Sequence, residues 1–185
     1  MLRPPFLPEN GVPMSLRPRV ALALLAAFAV VLGLAGPASA ETTRKFTTLT
    51  FTTRVVSSGT TLTTQPGGHT FGWNNLSGPT RWGNQDATVT FLGDVDYTDG
   101  SGPFNGYVTV TRADGTRLSF RTEGAALAVP ETSGATVTYF TGAVRVIQGT
   151  GAFRGAVGIG TMTGERDAAL GSPVELTFRL SLLRR

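Results

Sequence analysis

Alternation of apolar and polar residues in short runs is the feature that most constrains this chain. In the run from 174 to 182 every second residue is apolar: Val174, Leu176, Phe178, Leu180 and Leu182. This spacing is typical of a strand with one buried face. Similar Thr-rich runs, bounded by Gly, Asp or Asn, recur at 46–57, 87–97, 106–112, 116–122, 136–147 and 152–163. The pattern predicts an all-β chain.

Turn residues and glycines indicate how these strands are connected. Asp114-Gly115 separates two of the runs and is a strong hairpin signal. About seven or eight strands joined in sequence by tight turns favour an antiparallel barrel or a sandwich. Several glycines lie inside strand patterns, at Gly142, Gly155, Gly158 and Gly160. Because closing a sheet requires sharp bends, we predict a closed antiparallel β-barrel of about eight strands, with a β-sandwich as the alternative.

The first 40 residues have a different composition from the rest. Basic residues precede Val20 to Ala40, an uncharged and largely apolar stretch that ends in Ala38-Ser39-Ala40. A basic region, an apolar region and an A-x-A site together are the pattern of a secretory signal peptide. An uncleaved anchor is the alternative, because about 20 apolar residues can span a bilayer.

This pattern sets the predicted domains and the predicted compartment. We expect an N-terminal extension and signal peptide over residues 1–40, with translation starting at Met14 and cleavage after Ala40. Residues 41–185 are then a single barrel domain, near the usual domain size. The protein is expected to be secreted, or held on the outer side of the membrane, and without membrane contact once the signal is removed.

Charge and composition exclude several kinds of function. The chain has 16 basic and 12 acidic residues, a formal net charge of +4, but removing residues 1–40 leaves 13 and 11. With no basic face interleaved with aromatics, we expect no nucleic-acid partner. No cysteine is present and His69 is the single histidine, so the sequence predicts neither a metal site nor a cofactor.

A glycine-rich motif between two strand patterns suggests a family. Residues 146–158 read VIQGTGAFRGAVG, which resembles the G-G-[TS]-G-x-F-x-x-[AV]-x-G stretch of the dirigent and allene oxide cyclase barrels. The matching residues are Gly149, Thr150, Gly151, Phe153 and Gly158, and Gln148 departs from the usual glycine. We expect positive φ angles at Gly149 and Gly151, Phe153 in the core and a bend at Gly158.

The resemblance implies a function as well as a fold. It implies an eight-stranded barrel whose lumen binds a reactive hydrophobic small molecule and directs its cyclisation or coupling by shape. Dirigent proteins use lumen acids, an arginine and tyrosines, which makes the catalytic candidates Asp94, Asp96, Arg121 and Glu123. The candidate ligand-binding residues are Trp73, Trp82, Phe91, Tyr97, Tyr107 and Tyr139.

Two local interpretations remain open at the level of sequence. Arg121 and Glu123 share one face of a strand whose other face carries Leu118 and Phe120. If the apolar face points into the lumen, the charges are solvated; if it points outward, Arg121 and Glu123 become a buried pair that orients a ligand. The segment from Gln65 to Gln85 lacks strand alternation, so it is predicted to be a long loop that plugs or covers one barrel end.

Three functions of different classes are compatible with these residues. The first is an exported barrel that holds a hydrophobic small molecule without covalent chemistry. The second is a true cyclase or isomerase, which requires a buried carboxylate or tyrosine. The third is a non-catalytic structural or partner-binding module at the cell surface, and a homo-oligomer is compatible with all three.

Overall fold

The computed structural model describes residues 46–167 and 172–183. The expected signal peptide and cleavage site lie outside the described residues. By its contacts, Arg44–Arg185 forms a compact unit of its own. Every strand pairing of the sheet lies within this unit, so the barrel is complete within these residues.

Nine strands and one short 3-10 turn make up the described residues. The first four strands are β1 (Phe46–Thr60), β2 (Thr63–Thr64), β3 (His69–Trp82) and β4 (Gln85–Thr98). The remaining strands are β5 (Gly102–Arg112), β6 (Arg117–Pro130), β7 (Thr136–Gly149), β8 (Val157–Arg166) and β9 (Val174–Leu183). The 3-10 turn, Gly151–Phe153, lies between β7 and β8.

The strands close into a barrel through a pairing between β1 and β3. Neighbouring strands follow the order β1-β9-β8-β7-β6-β5-β4-β3, all antiparallel, and β1 also pairs with β3. Eight strands therefore form a closed barrel, and β2 is an extra short strand paired with β3. This confirms the predicted closed barrel over the sandwich.

A glycine permits the closing strands to approach each other. A Cβ atom at Gly78 would lie 2.1 Å from the backbone oxygen of Arg54 on the facing strand. On either side of this point, Thr53 pairs with Thr80 and Val56 with Ser77. Any larger residue at position 78 would push the closing strands apart.

Alternate residues of the barrel strands point into the lumen, and most of them are apolar. The rings of Phe51, Phe120 and Phe178 pack together, with centroids 5.0 Å apart for Phe51 and Phe178 and 5.2 Å apart for Phe120 and Phe178. Phe120 and Leu118 are fully buried. The apolar face of β6 therefore points inward, which settles the open interpretation of this strand in favour of solvated charges.

The two ends of the barrel differ, and we name them the base and the mouth. The base contains the start of β1, the end of β9 and the β3–β4, β5–β6 and β7–β8 turns. There the rings of Trp82 and Phe153 lie 4.5 Å apart, and the Arg112 guanidinium lies 5.8 Å from the Trp82 ring. These groups close the lumen at the base. The mouth, at the opposite end, contains the β1–β3, β4–β5 and β6–β7 connections.

The predicted hairpin at the base is confirmed. Gly115 has a φ of 79°, and its N–H donates to the carbonyl of Arg112 at 2.9 Å. The Asp114 carboxylate accepts a 2.8 Å hydrogen bond from the backbone N–H of Thr116. This bond lowers the pKa of Asp114 because it favours the charged form.

One element was predicted wrongly, because the segment from Gln65 to Gln85 is mostly strand β3 and not a long loop. Its inward positions include Thr70, Asn74 and Thr80, which are buried polar residues. Polar residues on both faces remove the hydropathy alternation that identifies a strand.

The glycine-rich motif is partly as expected. Gly151 has a φ of 54° and Phe153 is buried, both as predicted. Gly149 does not have a positive φ. A Cβ atom there would lie 2.4 Å from the backbone oxygen of Phe153. Gly149 therefore allows the end of β7 to pass close to the backbone at Phe153. A Cβ atom at Gly158 would lie 2.6 Å from the Ser181 oxygen, so this glycine also permits close packing.

Barrel packing makes one glycine much less replaceable than another. A Cβ atom at Gly160 would lie 2.0 Å from the Arg179 backbone oxygen, whereas one at Gly59 would meet nothing within 4 Å. We expect Gly160→Ala to lower the free energy of unfolding by about 1–3 kcal/mol, because the backbone must shift. The matched Gly59→Ala should change it by less than about 0.5 kcal/mol. Urea unfolding measures both, and equal effects would contradict the assignment.

Candidate functional site

The mouth half of the lumen contains a small cavity. Its volume is about 50 Å³, and its lining is almost entirely apolar, including Leu62, Phe91, Phe104, Phe140, Met162 and Leu176. The space exists partly because inward positions nearby carry no side chain. A Cβ atom at Gly106 would lie 2.1 Å from the Phe91 ring, so this glycine allows the ring to lean over β5 and away from the barrel axis.

Two polar side chains stand between this cavity and an outer groove. The groove crosses the mouth, has a volume of about 500 Å³ and is also lined by Thr70, Asp99 and Thr138. Tyr97 and Arg166 line both the cavity and the groove. They therefore lie between the two spaces, and we name this pair of side chains the neck.

Arg166 is a buried cation at the end of β8. Its side chain points inward because it is in phase with the buried Met162 on the same strand. Its Nη2 donates to Thr138 Oγ1 at 3.2 Å, and its guanidinium lies 5.6 Å from the centroid of the Phe140 ring. Burial lowers the pKa of Arg166, but arginine still carries its charge at neutral pH.

Tyr97 is the most buried tyrosine among the described residues, at 3% exposure. Burial raises the pKa of its hydroxyl to about 12, and the positive charge of Arg166 opposes part of that rise. The phenol is therefore protonated at neutral pH. It can donate a hydrogen bond at the neck but cannot serve there as a base.

The β1–β3 connection covers the cavity on its mouth side. Leu62 reaches the cavity from this connection, which packs tightly on β3. A Cβ atom at Gly72 would lie 2.6 Å from the Thr61 backbone oxygen, and its φ of 123° also favours glycine. Nearby, Ser57 Oγ donates to the Asn74 side-chain oxygen at 2.6 Å, which satisfies a buried amide in the cavity wall.

The structure distributes the predicted ligand-binding residues over three places. Phe91 and Tyr97 line the cavity. Trp82 is buried in the lumen, but at the base. Trp73, Tyr107 and Tyr139 are exposed on the outer face of the barrel. Neither tryptophan lines the cavity.

The four predicted catalytic residues lie on the outside of the barrel. Tyr97 points inward from β4, so alternation turns Asp94 and Asp96 outward. Arg121 Nη2 lies 3.4 Å from Glu123 Oε2 on the surface, and Asp96 pairs with His69. The structure does not bring these four residues to the cavity.

Sequence reasoning missed Arg166, Leu62 and Asn74. A signal for Arg166 exists, since it continues the inward phase of β8 after Met162. Asn74 and Leu62 carry no such signal, because β3 lacks hydropathy alternation and Leu62 belongs to a connection.

In residues 46–167 and 172–183 no group of three or more His, Asp or Glu side chains is placed to hold a metal ion. In the same residues no helix is long and apolar enough to cross a membrane. No protein-family model, no curated protein and no solved structure matched the chain.

The pKa of Tyr97 predicts a pH dependence of stability. Its folded pKa of about 12 lies above the ordinary tyrosine value of 10.0, so the folded state holds this proton more tightly than the unfolded state. The stability that this proton provides is complete below pH ~10 and is lost as the pH rises toward ~12, by up to about 3 kcal/mol.

Replacing the phenol isolates this contribution. Tyr97→Phe should remove the Tyr97 share of the alkaline loss, measured as the difference in unfolding free energy between pH 9 and pH 11.5. Tyr139→Phe, on the outer face, is the matched control and should leave the wild-type loss unchanged. If Tyr97→Phe and the wild type lose stability equally over this range, Tyr97 does not titrate as described.

Proposed function

We propose that this protein is an exported barrel that binds a small hydrophobic molecule at its mouth. The observation that carries the proposal is the apolar cavity behind a polar neck formed by Tyr97 and Arg166. An apolar part of the ligand occupies the cavity. A hydrogen-bond acceptor, best an anionic one, lies at the neck, because both neck groups are donors at neutral pH.

The size of the cavity limits what enters it. About 50 Å³ is far below the roughly 300–1,000 Å³ of pockets that enclose a drug-sized ligand. A larger molecule therefore leaves its bulk in the mouth groove, or displaces Leu62. A ligand that is only partly enclosed is not fully sequestered from solvent. Its conformation can still be controlled by the shape of the site.

The proposal extends to family and compartment. The motif around Gly151 and Phe153, together with the closed eight-stranded barrel, supports a dirigent or allene oxide cyclase-like protein. The basic, apolar and A-x-A segments before residue 41 support export. Its action on the bound molecule is then non-covalent and directed by shape, toward cyclisation or coupling.

A series of straight-chain carboxylates tests the binding site. We expect hexanoate to bind saturably, followed by NMR titration, and to perturb the resonances of Tyr97 and of the cavity-lining methyl groups. Hexanol should bind more weakly because it lacks the charge that Arg166 attracts. Leu62→Ala should increase affinity for octanoate and decanoate over hexanoate, since it opens the covered side of the cavity.

The same substitution at two tyrosines distinguishes the contribution of the neck to binding from that of the outer surface. Tyr97→Phe should weaken hexanoate binding by about 2- to 10-fold, the usual contribution of one hydrogen bond. Tyr139→Phe should leave affinity unchanged. If neither the wild type nor Leu62→Ala binds any member of the series saturably, the proposed site is wrong.

A true cyclase is a second candidate, favoured by the buried Tyr97 beside the Arg166 cation. In that case the phenol and the guanidinium stabilise negative charge that develops on an oxygen of the substrate. With a substrate that cyclises spontaneously, control by shape raises only the enantiomeric excess of the product, whereas catalysis also raises the rate. Tyr97→Phe should abolish the rate increase in a cyclase while ligand binding falls by no more than ~10-fold.

A further inference from the structure

Charged side chains are separated along the barrel axis. Among the described residues, the half nearer the base carries seven arginines: Arg81, Arg112, Arg117, Arg121, Arg145, Arg154 and Arg179. The same half carries two acids, Asp86 and Asp114. The mouth carries seven acids, Asp94, Asp96, Asp99, Glu131, Glu165, Asp167 and Glu175, against Arg166, and Arg54 and Glu123 lie near mid-height. The base is therefore strongly positive and the mouth negative.

The base also exposes large apolar side chains. Phe46 is 62% exposed, Ile147 50%, Val157 46% and Ile159 68%. Strand pairing brings these residues close together, since both Phe46 and Val157 pair with Leu183 on β9. We name these four residues the base patch. Exposed aliphatic groups in such a cluster mark an interaction surface.

Arginines lie directly among the residues of the base patch. Arg145 on β7 pairs with Ile159 on β8, and Arg179 on β9 pairs with the neighbouring Thr161. Arg145 and Arg179 also flank a shallow groove of about 780 Å³ on the outer face of β6 to β9. Neither of these two arginines forms an ion pair with any residue in the described part of the chain. Their charge is therefore available to an external anion.

The sequence alone led us to expect no membrane contact for the mature chain. From the base patch and its arginines we instead propose that this end of the barrel binds the surface of an anionic phospholipid bilayer. The aliphatic and aromatic side chains enter the headgroup layer, and the arginines contact lipid phosphates. A combination of apolar insertion and basic charge is what holds proteins at bilayer surfaces. The negative mouth and its cavity then face away from the membrane, open to the external medium.

The course of the chain supports a membrane at this end. Strand β1 begins at the base, and Arg44 and Lys45 precede Phe46 directly in the sequence. Arg184 and Arg185 follow β9 and increase the positive charge of the sequence that adjoins the base.

Nucleic acid and a second copy of this chain are the alternatives to a bilayer. Nucleic acid is recognised by basic surfaces with aromatic rings for stacking, whereas three of the four base-patch residues are aliphatic. The negative mouth of a second copy is complementary in charge to the base and exposes apolar groups of its own, such as Trp73 and Leu127. A dimer is therefore one of the outcomes that the vesicle experiment distinguishes.

Vesicle sedimentation of residues 41–185, which contain the compact barrel unit, tests the proposal. We expect the protein to pellet with vesicles of phosphatidylcholine and phosphatidylglycerol at 7:3, and not with phosphatidylcholine alone. Arg145→Glu with Arg179→Glu should lower partitioning by at least about 25-fold, since each basic residue near an anionic bilayer contributes about fivefold and the new carboxylates are repelled by it. Val157→Ser with Ile159→Ser should lower it by at least about tenfold.

Matched substitutions on other parts of the barrel provide the controls. Leu127→Ser changes an equally exposed aliphatic residue at the mouth, and Arg54→Glu reverses a charge at mid-height; both should retain at least half of the wild-type partitioning. Absence of binding to anionic vesicles overturns the proposal. Equal losses for Leu127→Ser and the base-patch variant also overturn it. Concentration-dependent dimers without vesicles, abolished by the Arg145 and Arg179 variant, would instead assign the base to a second copy.

Discussion

The pairing of β1 with β3 is the contact on which the rest of the structure depends. Without it the sheet would be open, and both strands would present unpaired backbone groups at long edges. With it, every strand of the barrel has two neighbours. Closure also divides each strand into residues that face the lumen and residues that face outward, so the position of a residue in its strand determines its environment.

That division explains which parts of the site the sequence could predict. Clean alternation predicted β9 correctly, and Asp114-Gly115 predicted its hairpin, because one face of each element is apolar and the turn needs a positive φ. The face occupied by Asp94 and Asp96 follows from Phe91 and Tyr97 once those are known to point inward. Which face of a strand points into the lumen is decided by the closed barrel as a whole. The sequence of one strand does not contain that information.

Strand β3 shows why the remainder was not predictable. Its inward residues include Thr70, Asn74 and Thr80, whose polar groups are satisfied by partners contributed from elsewhere in the chain. Thr80 Oγ1 donates to the Thr52 carbonyl at 2.7 Å, and Asn74 accepts from Ser57. These partners are 28 and 17 residues away in sequence. A local pattern cannot report hydrogen bonds that form only when the barrel closes, so the residues looked like those of a loop.

The two ends of the barrel are filled differently, and the buried charged and phenolic groups lie at the mouth. At the base, Trp82 and Phe153 fill the lumen with large rings. At the mouth, Tyr97 and Arg166 are buried. Apolar residues of similar volume would also fill this space. Burying a cation and a phenol costs free energy that a purely structural plug avoids, and replacing buried charges by apolar groups is often stabilising. The neck is therefore the part of the lumen that combines burial with polar chemistry, which is why the proposed ligand site is placed there.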